Sequence, residues 1–386
     1  MRKEFLRYGA PKFDKKEIDE VVKTLKSGWV TTSKKTHDFE EAFKKYEGVE
    51  YALALNSGTA ALHLGLIAAG VGKGDEVIVP AMTFGASANT VVHCGATPIF
   101  VDVDRATMNI DPAKIEEKIT PRTRAIMVVH MAGRACDMDA IFAIAKKHSL
   151  KIVQDAAHAV ETEYKGKKVG AYGDFACYSF HAIKNLVTAE GGMLTGAGAE
   201  AMKRSRALSL HGTSVDAWNR YGTSGYKHYE HIEAGFKYNM MDIQASLGIH
   251  QLAKIEKNWK KREKIWNTYL KELSGQPLML PAPVPKGDRH AYHMFTVLVD
   301  TDKTSVTRDQ FLNEMAKRNI GTGVHFRPLH LHPYYRKTYG YKEGDLPNAE
   351  WIGERTASIP IMPYLTAEDI GDVIQAIKGI FNVRLI

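Results

Sequence analysis

The chain has 386 residues, of which 44% are hydrophobic and 25% charged, a composition typical of a globular protein and not of a disordered, collagen-like or coiled-coil chain. Its formal net charge is +8, but the basic residues are spread along the chain among acidic ones, so we expect no nucleic-acid partner. No apolar run reaches the roughly 18 residues of a membrane span, which predicts a protein without a membrane segment. The spacing of the three cysteines indicates neither a disulfide framework nor a zinc site, which predicts a cytoplasmic protein without a metal.

Between residues 50 and 195 the sequence alternates short apolar runs with amphipathic helical patterns, as expected for strands of a parallel sheet that are connected by helices. In one of the helical patterns Asp111 can cap the helix and Pro112 takes its first position. The predicted strands are 75–80, 97–104, 124–133 and 151–157, and the predicted helices between them include 111–119 and 137–150.

The organisation changes in the second half of the chain. A continuous helical pattern over 242–273 predicts one long helix that bridges two domains, and the Pro-rich stretch 275–290 predicts a surface connection. The sequence therefore predicts a large domain over 1–250 and a smaller α+β domain over 251–386. The later elements are a strand at 293–300 and helices near 307–318 and 367–381.

Small residues open the helical pattern at 56–70, which reads NSGTAALHLGLIAAG. The backbone amides of Gly58 and Thr59, with the Thr59 hydroxyl, would lie at the positive end of this helix, where a phosphate can bind. An ordinary capped helix is the alternative interpretation of the same residues. This motif alone does not decide between the two.

Two further segments each carry an ionisable residue. Asp155 ends a predicted buried strand, where an unpaired carboxylate is costly, so it either meets a cation or caps the next helix. Lys184 follows a strand-like run and precedes the Gly191-Gly192 pair, so we expect it in a loop at the sheet edge, where α/β folds place their sites. Alone it is an ordinary loop lysine, but a phosphate cradle, a buried acid and a loop lysine together predict a site for a cofactor with a pyridinium ring.

The same segments resemble a known family. The motifs that carry the resemblance are NSGTAAL at 56–62, DAAH at 155–158, SFH at 179–181 followed by Lys184-Asn185, and EGG at 190–192. They are similar to the DegT/StrS sugar aminotransferases of the fold-type I pyridoxal-phosphate superfamily, and the similarity covers essentially the whole chain. It implies an α/β fold with a three-layer α/β/α large domain, a mainly parallel sheet and a smaller α+β C-terminal domain, with pyridoxal 5'-phosphate (PLP) as the cofactor.

The resemblance also implies roles for individual residues. Lys184 is implied to form an imine with PLP and Asp155 to pair with the pyridine nitrogen, which makes these two the predicted catalytic residues. The other residues implied to bind PLP are Gly58, Thr59 and Ser179 at the phosphate, Phe84 stacked on the ring and His158 at the ring hydroxyl.

Asn239 matches a family residue that reaches the phosphate in the neighbouring subunit's site, which implies a homodimer with shared active sites. The residues implied to face the substrate are Trp29, Thr31, His325 and Arg327. The planar guanidinium of Arg327 suits a carboxylate or a phosphate, and the alternative is a surface arginine near the domain junction. The chain departs from the family at 32–35, where it reads TSKK in place of the usual threonine, glycine, proline and lysine.

The implied reaction transfers the amino group of L-glutamate to a nucleotide-linked keto sugar and releases 2-oxoglutarate. Stretches 27–32, 101–107, 181–185 and 320–330 are similar to family members that make UDP-4-amino-4-deoxy-L-arabinose, which implies C4 amination of a UDP sugar, whereas 209–221 resembles members of spore-coat polysaccharide synthesis. Amination at C3 of a dTDP- or GDP-linked sugar is the alternative, since it uses the same catalytic residues. A dehydratase would carry histidine in place of Lys184, and a non-catalytic sugar-binding relative would lack Lys184 or Asp155.

Overall fold

The computed structural model describes residues 2–214 and 228–382, so part of the segment 209–221 lies outside the described residues. The strands are β1 (Tyr51–Leu55), β2 (Glu76–Pro80), β3 (Thr97–Val101), β4 (Thr123–Val129), β5 (Lys151–Asp155), β6 (Glu163–Tyr164), β7 (Lys167–Lys168), β8 (Phe175–Ser179), β9 (Gly192–Gly196), β10 (Leu278–Met279), β11 (Phe295–Val299) and β12 (Thr356–Ile359). The helices are α1 (Lys15–Ser27), α2 (Lys34–Glu47), α3 (Gly58–Ala68), α4 (Gly85–His93), α5 (Met138–His148), α6 (Ala199–Ser209), α7 (Asp242–Ala253), α8 (Ile255–Glu272), α9 (Arg308–Lys317), α10 (Pro333–Tyr339), α11 (Pro347–Arg355) and α12 (Ala367–Asn382).

The main sheet has seven strands in the order β1-β9-β8-β5-β4-β2-β3. The pairs β2–β3, β2–β4, β4–β5 and β5–β8 are parallel, and β9 is antiparallel to both of its neighbours. Parallel neighbours need a crossover, and here a helix separates most of the strands along the chain. The sheet is therefore mainly parallel, as the sequence predicted.

Both faces of this sheet are buried. Successive residues of a strand enter two different apolar clusters, as Ile152 and Val153 of β5 do. Side chains of α3 and α4 fill the cluster on one face, and those of α2, α5 and α7 fill the cluster on the other. A sheet with helices on both faces has three layers, so the predicted α/β/α architecture is confirmed.

A second, antiparallel sheet consists of β10, β11 and β12. It packs with α8, α9 and α12 in a third apolar cluster, to which Trp266, Phe295 and Ile377 belong. Leu6 near the N-terminus joins this cluster and bridges to Ile320. The division of the chain at residue 250 stays a prediction. Within 2–214 and 228–382 we find no helix of the length and apolarity that a bilayer crossing requires.

Two predicted helices differ from the structure. The segment 111–119 forms two 3-10 turns, Pro112–Lys114 and Glu116–Lys118, although Asp111 does cap the first of them. A segment this short nucleates an α-helix poorly, and Pro121 disfavours helical backbone at the residue before it. Over 242–273 the predicted single helix is two helices, because the backbone leaves helical geometry at Lys254 (φ −110°, ψ 5°).

The predicted strands at 97–104, 124–133 and 151–157 end early, at Val101, Val129 and Asp155. After β4 the apolar run continues into a turn in which Met131 and Ala132 are buried and Ala132 has a φ of 58°, and after β5 it continues to the buried Ala156. Hydrophobicity therefore extended these two predicted strands into the loops at the carboxyl edge of the sheet, whereas β3 is followed by Asp102 and Asp104.

Candidate active site

The candidate site is a cavity of about 530 Å³ at the carboxyl edge of the main sheet. The parallel strands β5 and β8 end at Asp155 and Ser179, so the loops that follow them meet at this edge. Of the eight residues predicted to bind the cofactor, seven line the cavity: Gly58, Thr59, Phe84, Asp155, His158, Ser179 and Lys184.

The Asp155 carboxylate is buried at the end of β5, with 6% of the residue exposed. The Ser87 hydroxyl donates to its Oδ2 at 2.7 Å, and the Ala157 amide donates to its Oδ1 at 3.1 Å. Burial raises the pKa of Asp155, and the two hydrogen bonds and the charge of Lys184 oppose this rise. The carboxylate is thus held in a defined orientation at a place where a positive charge would stabilise its ionised form.

Lys184 lies in the loop between β8 and β9 and is half-buried. Its backbone amide donates to the carbonyl of His181 at 2.8 Å, which closes a tight turn. Burial lowers the pKa of the Lys184 amine to about 8, although the Asp155 carboxylate acts in the opposite direction. Near neutral pH a sizeable fraction of this amine is therefore uncharged and nucleophilic.

The start of α3 approaches the end of β8 closely. A Cβ atom at Gly58 would lie 2.8 Å from the Cβ of Ser179, so only glycine fits this approach. The Ser57 hydroxyl caps the helix by accepting from the Ala60 amide at 3.1 Å, while Thr59 is exposed. The amides at this helix start face the same cavity as Lys184, which gives it an anion-binding end.

His158 is buried in the cavity wall, and its Nδ1 has no hydrogen-bond partner among the described residues. Its ring stacks on His293 at 4.6 Å between centroids and lies 6.4 Å from the Phe326 ring. Burial holds the pKa of His158 well below its ordinary value, and the charge of Lys184 adds to this shift. The imidazole is therefore neutral, and one ring nitrogen is a donor.

A buried polar chain behind His158 was not predicted. The Asn185 amide donates to both oxygens of the Glu161 carboxylate at 3.0 Å, and its Oδ1 lies 3.0 Å from Nδ1 of His293. Glu161 in turn faces the buried Arg262, with Nη1 and Oε1 4.0 Å apart. Because Asn185 directly follows Lys184, this chain fixes the backbone of the lysine loop. No local pattern signals it, since its members come from distant parts of the chain.

A groove next to the cavity is lined by one of the residues predicted to face the substrate, Arg327. Phe84 is 65% exposed and lines both the cavity and the groove, where Arg327 is also found. His325 lines the cavity itself, with Nδ1 2.9 Å from the Ser358 hydroxyl. Among the described residues the Arg327 guanidinium has one hydrogen bond, 3.4 Å long, to the Leu331 carbonyl, and Arg327 is exposed where it lines the groove.

Three predicted residues lie elsewhere in the single chain. Asn239 lines a separate cavity, where its amide donates to the Thr32 hydroxyl at 2.6 Å. Trp29 and Thr31 are exposed and line neither the Lys184 cavity nor the groove. Within one chain, then, the loop that departs from the family pattern stays apart from the catalytic candidates.

Comparisons with known proteins identify relatives of this chain. The chain is 47% identical over 380 residues to the spore coat polysaccharide biosynthesis protein SpsC of Bacillus subtilis, with 98% of each chain covered. Its structure resembles that of Spr1654 of Streptococcus pneumoniae, named as a candidate sugar aminotransferase and solved in PLP and PMP forms. For the PMP form the TM-score is 0.91 and the identity 34%, over 97% of this chain and 98% of that one.

Helicobacter pylori PseC, an aminotransferase involved in the biosynthesis of pseudoaminic acid, superimposes with a TM-score of 0.90 at 30% identity, over 98% of this chain and 99% of that one. Residues 11–378 match the model of one protein family. This match covers far more than half of the chain. The protein therefore belongs to the DegT/DnrJ/EryC1/StrS aminotransferase family.

Proposed function

We propose that this aminotransferase moves the amino group of L-glutamate to the C4 keto group of a nucleotide-linked 4-keto sugar, with UDP as the expected nucleotide. The products are a 4-amino-4-deoxy sugar nucleotide and 2-oxoglutarate. The observation that carries the proposal is the Lys184 amine beside the buried Asp155 carboxylate, in a cavity that the start of α3 also lines. The polysaccharide and pseudoaminic acid relatives support a sugar substrate.

PLP fits the side chains that line this cavity. The helix start at Gly58 suits its phosphate, and the Asp155 carboxylate suits a protonated ring nitrogen. Nδ1 of His158, which has no partner in the described part of the chain, suits the ring hydroxyl. Phe84 offers an exposed aromatic face for stacking on the ring. When bound, PLP supplies an aldehyde that takes up the amino group and an electron-withdrawing ring that stabilises negative charge on the reacting carbon.

Lys184 has two tasks in the proposed reaction. Its amine holds the cofactor between turnovers, and once released it is the base that takes the proton from Cα of glutamate. In the second half of the reaction it delivers a proton to C4 of the sugar. A pKa of about 8 suits both directions, because the amine can then gain and lose a proton near neutral pH. The two substrates bind in turn, so we expect ping-pong kinetics.

The pH dependence of Lys184 is directly testable. We expect the rate at which the cofactor-free protein captures PLP to rise with pH through a midpoint near the Lys184 pKa of about 8, because only the neutral amine attacks the aldehyde. Stopped-flow absorbance gives this rate. In Asp155→Asn the midpoint should move to lower pH, since the carboxylate raises the pKa of the lysine. A midpoint at the ordinary lysine value, near 10.4, would contradict this assignment.

Gly58→Ala tests the phosphate cradle. The new Cβ would lie 2.8 Å from that of Ser179, and overpacking of this kind costs about 1–3 kcal/mol. We therefore expect PLP to bind roughly tenfold more weakly, as measured by titration of the cofactor's absorbance. Gly72→Ala is the matched control, because a Cβ there meets no atom within 4 Å. Equal PLP affinity in the two variants would argue against phosphate binding at this helix start.

We infer that the protein is a homodimer with shared active sites. Asn239 lines a cavity apart from Lys184, as expected if it serves the neighbouring subunit. Ile18, Val22 and Leu25 form an exposed apolar stripe along α1, at the spacing of one helix face. Such a stripe is suited to burial in an isologous contact.

A substrate panel tests the proposed reaction. PLP-loaded protein is incubated with L-glutamate and UDP-, GDP- or dTDP-linked 4-keto sugars, and products are identified by NMR. We expect fastest turnover with a UDP sugar, one 2-oxoglutarate for each amino sugar, and the new nitrogen at C4. Turnover of none of these 4-keto sugars, or turnover only of amino acids with ordinary 2-oxo acids, would refute the proposed specificity.

A further inference from the structure

A second cavity, of about 140 Å³, adjoins the lysine loop. It shares Ile183, Lys184 and His293 with the candidate active site. The N-terminal segment before α1 and the start of α8 provide much of its wall, so it lies between parts of the chain that are far apart in sequence. The proposed reaction does not use this cavity.

The charge of this cavity is predominantly positive. Among the described residues that line it, five are basic and only Asp14 is acidic; the basic ones are Lys12, Lys184, Lys254, Lys261 and Arg262. Lys254 is neutralised, since its amine contacts Asp14 at 2.9 Å and also contacts Glu17. Lys12 lies 5.8 Å from the centre of the Tyr364 ring, a contact that leaves its N–H groups available.

Arg262 is the buried element of this wall. It is 6% exposed, and its Nε and Nη1 have no hydrogen-bond partner among the described residues. Glu161, the nearest carboxylate, is 4.0 Å from Nη1, which is beyond hydrogen-bond distance, and both of its oxygens already accept from Asn185. A guanidinium has five N–H donors, so this one still requires acceptors.

We propose that this second cavity binds a small anion through a carboxylate or phosphate group. Arg262 would supply buried donors, and Lys12 and Lys261 would complete the charge at the rim. A volume of about 140 Å³ admits a phosphate ion or a short dicarboxylate but is well below the roughly 300 Å³ of typical pockets for larger ligands, which excludes a sugar nucleotide. Because Lys184 and His293 belong to both cavities, the bound anion lies beside the catalytic loop.

Calorimetry tests the proposal without turnover, so failure of the proposed sugar reaction would not affect the result. Protein saturated with PLP, whose own phosphate fills the site at Gly58, is titrated with inorganic phosphate and separately with glutarate. We expect one of the two, or both, to bind at one site per chain. Binding of phosphate alone would identify a phosphate ligand, and binding of glutarate alone a carboxylate ligand. If neither anion binds, the proposal is overturned.

The double variant Lys12→Ala/Lys261→Ala removes the rim charges and leaves the buried Arg262–Glu161 pair intact, so the fold is preserved. We expect binding at least about tenfold weaker, as for the loss of a hydrogen bond to a charged group. Lys15→Ala/Lys260→Ala removes the same charge from exposed positions outside the cavity and should bind as the parent does. Equal losses in both double variants, or a loss in Arg327→Ala instead, would also overturn the proposal.

Discussion

Lys184→Ala is expected to abolish both turnover and the visible absorption band of the bound cofactor. The proposed reaction needs this amine twice, as the group that holds PLP and as the base at the reacting carbons. General acid–base catalysis alone contributes up to about 10⁴-fold, so we expect a loss of kcat of at least that size. Absorbance spectra and a coupled assay for 2-oxoglutarate measure the two effects on the same sample.

The matched control is Lys167→Ala, because Lys167 lies exposed in the β6–β7 hairpin. It should keep the spectrum and the turnover of the parent. If Lys184→Ala turned over like this control, another residue would have to hold the cofactor, and the assignment of the site would be wrong.

Asp155→Asn is expected to lower kcat by a factor of hundreds to thousands. Loss of one partner of a buried charge pair costs about 3–5 kcal/mol, and here the lost partner is the one that we propose would keep the PLP ring protonated. The side chain keeps its shape, so Ser87 and Ala157 can still position it. Single-turnover kinetics with glutamate isolates the step that needs the charged ring.

The stability of the cofactor-free protein should respond in the opposite direction. Burial raises the pKa of Asp155 in the folded protein above its value in the unfolded chain. At a pH above the unfolded value, the buried ionised carboxylate therefore destabilises the fold. The asparagine side chain is neutral, so this destabilisation is absent in the variant. We expect the free energy of unfolding at pH 7 to stay equal or to rise. Asp139→Asn, at an exposed salt bridge, is the control and should leave kcat unchanged. A variant of Asp155 with full kcat would show that the carboxylate has no electronic role.

The prediction of a PLP-dependent aminotransferase is confirmed by the family match and by the PLP and PMP forms of a structural neighbour. The finer similarity to enzymes of UDP-4-amino-4-deoxy-L-arabinose synthesis stays a prediction, as do the roles of individual residues. Family motifs identify the shared chemistry because every member needs it. At 32–35 this chain departs from the family pattern, so similarity in that loop does not identify the sugar.

Strands β2, β3, β4 and β5 of the main sheet were predictable because they contain short apolar runs bounded by turn residues, as in 75–80, whereas β1 and β9 were not predicted. The α5 helix was predictable from the periodicity of 137–150, and the structure adds the Asp137 cap, whose side chain accepts from the Ala140 amide. The break at Lys254 was not, because the helical pattern continues across it and the lysine is held by ion pairs to Asp14 and Glu17, far away in sequence. Local pattern thus indicates the elements, and distant contacts set some of their ends.

For the candidate site, short motifs in the sequence indicated the residues that we propose for the chemistry: the small residues around Gly58, the strand-end Asp155 and the loop Lys184. Only the tertiary structure decided which groups surround the site. The Ser87 hydroxyl donates to Asp155, the His293 ring stacks on His158, and the Asn185 amide donates to the Glu161 carboxylate. Each of these contacts joins residues well separated along the chain. Periodicity and motifs act over a few neighbours, whereas such contacts depend on how layers pack.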